Sequence, residues 1–186
     1  YCIMDNTMSR QNHISIRSPR LSDFPQITGI YKYFVLHTTI SFDTTPPPEN
    51  TMIRKWRELQ KLNYPYLVAT HNNTITAFAY LAPYRTRNAY KHTAELSVYV
   101  NQNHQRQNIG SKLVAELLSK APESDIREII AVIASHDNST TPSLAFHHKL
   151  GFKTVGTLRN VGHKHGVSIH TTILQKSLAP ETPETP

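Results

Sequence analysis

Hydrophobic positions recur along this chain in two periods. Over residues 92–100 they return every second residue. Ala94, Leu96, Val98 and Val100 fall on one face, and Thr93, Glu95, Ser97 and Tyr99 on the other, which predicts a half-buried strand. Beyond residue 108 the period lengthens, and Ile109, Leu113, Leu117 and Leu118 mark a helix running to Lys120. A polar turn ending in Gly110 joins the two. Strand, turn and helix together offer free backbone N–H groups and a positive helix end, a site suited to an anion and most naturally to a phosphate.

The same reading extends over the rest of the chain. Ile14 and Ile16 alternate in a short strand at 13–17. Ser22 or Asp23 caps a helix with Pro25 in its first turn, and Ile27, Ile30, Tyr31, Phe34 and Val35 mark its inner face. Residues 38–42 read as extended. Pro46, Pro47 and Pro48 impose a loop over 43–48, because proline donates no ladder bond. A second helix is predicted over 49–62 with Ile53, Trp56, Leu59 and Leu62 inward. Strands at 66–70 and 75–81 flank Asn72 and Asn73, a pair that tolerates positive φ and predicts a tight hairpin. A loop over 83–90 follows. The run 126–134, rich in Ile and Val, predicts a strand buried on both faces. Ser139, Thr140, Thr141 and Pro142 open a helix that Gly151 stops. Strands at 152–158 and 168–175 then enclose a loop at 162–166. Residues 1–12 and the Pro/Glu/Thr tail 179–186 are expected to be disordered ends. With no repeat or linker, the pattern predicts one α+β domain over 13–178.

Composition narrows the classes of function. The chain has 186 residues and a hydrophobic share of 38%, enough for one core. No apolar run approaches about 18 residues, so no transmembrane helix is expected. The N-terminus lacks the basic and apolar regions of a signal peptide, and the first residue is Tyr, so an altered or truncated start is expected. The single Cys2 rules out an internal disulfide framework and suits a reducing cytoplasm. The net charge of +7 fits either a solvated basic surface or an anionic ligand. Lys and Arg are scattered with no nucleic-acid motif, which argues against DNA or RNA as partner. The 11 histidines include His147 beside His148 and His163 two before His165. Neither spacing builds a zinc site, so no metal is expected. No Gly-x-Ser-x-Gly elbow occurs, which argues against a serine nucleophile.

One string is more specific. His104-Gln105-Arg106-Gln107-Asn108-Ile109-Gly110 resembles the (Gln/Arg)-x-x-Gly-x-(Gly/Ala) acetyl-CoA signature of the GCN5-related N-acetyltransferases. Ser41-Phe42 before Pro46-Pro47, Tyr64-Pro65-Tyr66-Leu67-Val68-Ala69, Arg87-Asn88-Ala89-Tyr90, Glu95-Leu96-Ser97-Val98-Tyr99-Val100, His147-His148-Lys149-Leu150-Gly151-Phe152 and Val161-Gly162-His163-Lys164-His165-Gly166 are similar to the phosphinothricin N-acetyltransferase branch. These stretches lie in the right order across most of residues 14–175. The chain departs from the pattern at Asn108, where the first motif glycine is expected. It departs again at Ser168 and His170, where the family shows Trp and Asp. Asn138 lies five residues ahead of Ser143 rather than three.

The resemblance implies the acyl-CoA N-acyltransferase fold: a mixed, mostly antiparallel sheet of about seven strands with helices on both faces. It implies acetyl-CoA as co-substrate. A bulge at Val98, Tyr99 and Val100 would splay that strand and free its backbone for the pantetheine amides. Gln105, Arg106, Gln107, Asn108, Ile109, Gly110 and Ser111 would hold the pyrophosphate, with Asn138 a further cofactor contact. Glu95 would act as general base and His147 as a second proton carrier. Arg87, Tyr90, Phe42 and Lys164 would meet the acceptor. From the residues alone, Glu95 reads equally as a solvent-facing strand carboxylate, His147 as a packing or capping histidine, and Phe42 as a core residue. The implied reaction is acetyl transfer to the α-amine of a small amino acid or analogue such as phosphinothricin, methionine sulfoximine or methionine sulfone, by a homodimer. Two rivals remain open: an N-acetyltransferase for another amine, and a binding module that senses CoA.

Overall fold

The computed structural model describes residues 14–136 and 141–178. The expectations for residues 1–12, His13, Asn138, Ser139, Thr140 and the tail lie outside the described residues.

Seven strands, β1 (Ser15–Arg17), β2 (Tyr66–His71), β3 (Thr74–Pro83), β4 (Thr93–Val100), β5 (Glu128–Ser135), β6 (Lys153–Lys164) and β7 (Val167–Ser177), form one sheet. Their spatial order is β1-β2-β3-β4-β5-β7-β6. Every neighbouring pair is antiparallel except β4 and β5. That parallel step needs a crossover, supplied by helix α3 (Ile109–Lys120). The β2–β3 hairpin turns at Asn72 (φ 49°) and Asn73 (φ 63°), the left-handed pair expected there.

Helices cover both faces. On one, α1 (Phe24–His37) and α2 (Glu49–Lys61) bury Phe24, Ile27, Phe34, Met52 and Leu59 against Tyr66, Phe78 and Tyr80. Rings stack along the sheet here: the centroids of Tyr66 and Tyr80 lie 5.0 Å apart and those of Phe78 and Tyr99 5.1 Å. Such pairs add about 0.5–1.5 kcal/mol each beyond the area they bury. On the opposite face α3 packs Leu113, Val114 and Leu117 onto Ala77, Ala79 and Ala94. The small strand residues let the helix approach closely. Burying each leucine contributes about 1.5–3 kcal/mol. Helix α4 (Pro142–Lys149) joins this second face through Leu144 and Phe146. No helix among the described residues is long and apolar enough to cross a membrane.

Three expectations are corrected. Leu62 is 54% exposed rather than inward; α2 ends one residue earlier, and Met52 takes the inner position instead. The strand expected to stop at 158 continues to Lys164, passing an irregularity between Leu158 and Gly162. Only His165 (φ 53°) and Gly166 (φ 78°) remain as turn. Nearly all of β6 is exposed, so no burial pattern marked it. Finally, β5 is not buried on both faces throughout, because Val132 is exposed.

Candidate active site

The strand expected at 92–100 is the structural hinge of the site. Its pairing with β3 is continuous, from Ala94↔Pro83 to Val100↔Ala77. Its parallel pairing with β5 covers only Thr93↔Glu128, Ala94↔Ile129 and Glu95↔Ile130. Beyond Glu95 the two strands part, β4 staying with β3 and β5 with β7. The splay is therefore present. The bulge expected at Val98, Tyr99 and Val100 is not, since the register with β3 is unbroken there. What frees the inner edge of β4 is the early end of the β5 ladder.

The parted strands floor an open cleft of about 840 Å³. Leu96, Ser97, Val98 and Tyr99 line one side and Val132, Ile133 and Ala134 the other. Alternation directs Glu95, Ser97 and Tyr99 to the α1–α2 face and Val98 and Val100 to the α3 face, as expected. Tyr31, Lys55, Tyr80 and Arg85 line the cleft from the first face, and Ser143 and His147 from α4. Ser41, Phe42 and Asp43 close its outer side with Val161 and Thr171.

Glu95 is half-buried where the ladder stops, and it makes no side-chain hydrogen bond among the described residues. Burial pushes its pKa above the ordinary carboxylate value, and the positive charges of Lys55 and Arg85 pull it partly back. The other carboxylate of the cleft, Asp43, is occupied: it accepts the Tyr31 hydroxyl at 2.7 Å. Tyr31 and Tyr99, packed edge-on with centroids 5.0 Å apart, are both held well above the usual phenol range by burial. They stay protonated, and Tyr31 donates its proton to Asp43. Lys55 donates to the Tyr80 hydroxyl at 2.7 Å.

His147 is 2% exposed and wedged edge-on against Phe146 and Phe152. Its Nδ1 lies 2.8 Å from the Ser143 carbonyl. A carbonyl only accepts, so Nδ1 carries the proton and Nε2 keeps a lone pair. Burial lowers its pKa, with the Ser143 carbonyl opposing, so the ring is neutral at pH 7.

The turn after β4 has the form an anion needs. Arg106 (φ 62°) and Asn108 (φ 60°) are left-handed, so Asn108 does supply the conformation usually left to glycine. Asn108 precedes α3 with no side-chain cap, which leaves first-turn N–H groups unpartnered by side chains. Gly110 is tightly enclosed: a Cβ there would sit 3.3 Å from Val100 Cγ2 and 3.4 Å from Phe146 Cε2. Gln105, Arg106, Gln107 and Asn108 are exposed at the turn, and Gly110 and Ser111 are half-buried. Ile109 is different: its side chain is core, and only its backbone is available to a ligand. An uncapped helix end beside a splayed strand fits a nucleotide-tailed thioester.

A family model described as Acetyltransferase (GNAT) domain matches residues 16–173. The chain belongs to the GNAT acetyltransferases. It is 34% identical over 164 residues to a phosphinothricin N-acetyltransferase of Alcaligenes faecalis, covering 88% of this chain and 82% of that one. It is 33% identical over 171 residues to an L-amino acid N-acyltransferase of Escherichia coli, covering 91% and 96%. A solved phosphinothricin acetyltransferase from Sinorhizobium meliloti in complex with acetyl-CoA superposes with a TM-score of 0.85 at 30% identity, covering 93% of this chain and 92% of that one. This acetyltransferase takes its acetyl group from acetyl-CoA.

Of the expected acceptor residues, the enzyme brings only Phe42 into the cleft. Arg87 and Tyr90 lie outside its lining, and Tyr90 packs edge-on against Tyr84. Arg85, two residues earlier, lines the cleft instead. Lys164 is 5% exposed and turned to other work: its Nζ donates to the Ser41 carbonyl at 2.6 Å. Tyr31, Lys55, Tyr80 and Arg85 were missed because each meets the cleft through tertiary packing. The expectation of Arg87 and Tyr90 rested on the resemblance, and nothing in the sequence singled out Arg85 from its neighbours in that loop.

Two outcomes test this site. Valine disfavours positive φ, so Asn108→Val is expected to weaken acetyl-CoA binding about tenfold by calorimetry, while Asn108→Gly holds or improves it. Equal affinity in all three proteins would remove the turn from the binding site. Separately, a raised carboxyl pKa means that the folded enzyme binds this proton more tightly than the unfolded chain does. Stability from this group is therefore present below the ordinary pKa and lost as pH rises through the raised one. Glu95→Gln should raise Tm at about pH 7.5 and leave it unchanged below about pH 4. An unchanged or lower Tm at the higher pH would contradict the burial of the charge.

Proposed function

We propose that this enzyme acetylates the α-amine of a small amino acid or analogue, with phosphinothricin, methionine sulfoximine and methionine sulfone as candidate acceptors. The observation that carries the mechanism is Glu95: a half-buried carboxylate without a side-chain hydrogen-bond partner among the described residues, at the point where β4 and β5 part. Relatives that share its length support the acceptor class. These include the proteins of A. faecalis and E. coli and a Salmonella typhimurium L-methionine sulfoximine/L-methionine sulfone acetyltransferase that is 30% identical over 165 residues.

Acetyl-CoA supplies an acyl group activated as a thioester. The chain's own groups do the rest. The acceptor enters as an ammonium, and Glu95, its pKa raised by burial, takes the proton that frees the amine lone pair. Lys55 and Arg85 lie on the Glu95 side of the cleft and suit the acceptor's carboxylate and a second anionic oxygen. N–H groups on the unpaired edge of β4 stabilise the negative charge that grows on the acyl oxygen as the C–N bond forms. His147, neutral with a free Nε2, takes the second proton from the newly bonded nitrogen and passes it to the leaving thiolate as the C–S bond breaks. Phe42 walls the apolar part of the acceptor.

We also assign a homodimer working in the cytoplasm. Val155 and Leu158 of the edge strand β6 are exposed apolar side chains, and an open strand edge of this kind suits pairing with a second copy.

Glu95→Ala should lower kcat by about 10²–10⁴ while acetyl-CoA affinity changes little. A thiol-release assay over a panel of amino acids reads both the loss and the acceptor. Full activity of the variant would remove Glu95 from the mechanism, and preference for an amine outside the amino acids would replace the acceptor class. Sedimentation should give a dimer that Leu158→Glu converts to monomer; a monomeric parent protein would rule the interface out.

A further inference from the structure

The segment 41–43 connects α1 to α2 yet is anchored from the far end of the sheet. Lys164, the last residue of β6, is separated from Ser41 by 123 residues, and its Nζ donates to the Ser41 carbonyl at 2.6 Å. No carboxylate lies within 4 Å of that amine among the described residues. A buried ammonium that donates to one carbonyl, with the Asp43 charge nearby only partly offsetting its burial, is a costly arrangement unless it positions something. From the other side Tyr31 closes the same segment. Its hydroxyl lies 2.9 Å from Ser41 Oγ and donates to Asp43 Oδ2 at 2.7 Å, while Asp43 N donates to Ser41 Oγ at 3.2 Å. Ser41 is 3% exposed, whereas Phe42 between these anchors is 47% exposed and faces the cleft.

Gly162 explains where the Phe42 ring rests. Its φ is not in the left-handed region, so its backbone does not require glycine. A Cβ at 162 would instead lie 2.3 Å from Phe42 Cε1 and 2.8 Å from Cζ, inside any permitted contact. The irregularity of β6 between Leu158 and Gly162, with Asn160 at φ 55°, carries the strand to the cleft, where Val161 becomes part of the lining.

We propose that Gly162 and Lys164 are positioning residues that set the acceptor pocket through segment 41–43: the amine fixes the segment, and the absent side chain at 162 seats Phe42 as the pocket's outer wall. The acceptor class that fits is an amino acid whose methylene chain rests on the Phe42 ring while its charged ends meet Lys55 and Arg85. This inference rests on the amino-acid reading above for its acceptor, but not for its geometry.

The test is a double-mutant cycle between Gly162→Ala and Phe42→Ala, read as acceptor KM, kcat and acetyl-CoA Kd. In the Phe42 background, Gly162→Ala should raise acceptor KM about tenfold and leave acetyl-CoA Kd within about twofold; in the Phe42→Ala background it should change KM little. Lys164→Met should raise acceptor KM in the same way and show the same dependence on Phe42, which supplies a second cycle if Gly162→Ala does not fold. Equal effects of either change in both backgrounds, or no effect on acceptor KM, would overturn the proposal. The cycle is read on whichever amine the enzyme turns over best. A non-amino-acid acceptor would therefore sink the substrate reading and still leave the cycle to decide on Phe42.

Discussion

Everything in this enzyme depends on a ladder that stops after three residues. Strands β4 and β5 are the only parallel neighbours in the sheet, and their pairing ends at Glu95↔Ile130. Each is held beyond that point by its other neighbour: β4 by β3 as far as Val100, and β5 by β7 as far as Ser135. The gap is thus maintained by two intact hairpin-like ladders pulling in different directions. It leaves backbone donors and acceptors facing a cleft in the middle of a sheet, where unpaired polar groups would otherwise be a defect. A ligand with amides of its own can complete the pairing, as an added strand does at an open edge. The same opening places the β4–α3 turn at the mouth of the gap, so a single irregularity supplies both the groove and the anion end.

Electrostatics in the cleft follows from who is already occupied. Asp43 is engaged by Tyr31, and Tyr31 and Tyr99 are too deeply buried to ionise. Among the described cleft residues, Glu95 alone combines burial with an open carboxylate. Lys55 and Arg85 counter part of the desolvation, which holds the group between two failures. Without the cations burial would raise its pKa further. Without the burial it would remain ionised but weakly basic towards an ammonium.

What could be read from the sequence was whatever repeats locally. The alternation at 92–100 and the helical spacing after Ile109 are backbone periods filtered by one-sided burial, and both elements formed as read, as did the Asn72–Asn73 turn. The path of β6 was not legible, because a strand exposed on both sides carries no hydrophobic period to detect. The acceptor side of the site was less legible still. Arg85 and Arg87 sit in the same loop with the same chemistry, and only the trace of that loop decides which reaches the cleft. Lys55 is one of several cations on α2, distinguished by the Tyr80 hydroxyl beneath it, 25 residues away. Lys164 read as a positive charge for the substrate because a loop lysine ordinarily faces solvent; its burial against Ser41 exists only once both ends of the sheet have met.

Those misses share a cause that bears on how such enzymes diverge. The proposed acetyl-CoA side is built by consecutive residues, strand, turn and helix, so its geometry is nearly complete within residues 93–120. The proposed acceptor side is assembled from α1, α2, the 83–90 loop, α4 and β6, each lining the cleft with one or two side chains. A local unit tolerates little change, since every residue shares its neighbours' backbone constraints; Asn108 survives in place of glycine only because Asn also adopts positive φ. A dispersed wall can be altered one contact at a time, and a change at one strand of the cleft need not disturb the β4–α3 turn. Retained donor chemistry with a variable acceptor is thus the outcome this division of the fold favours.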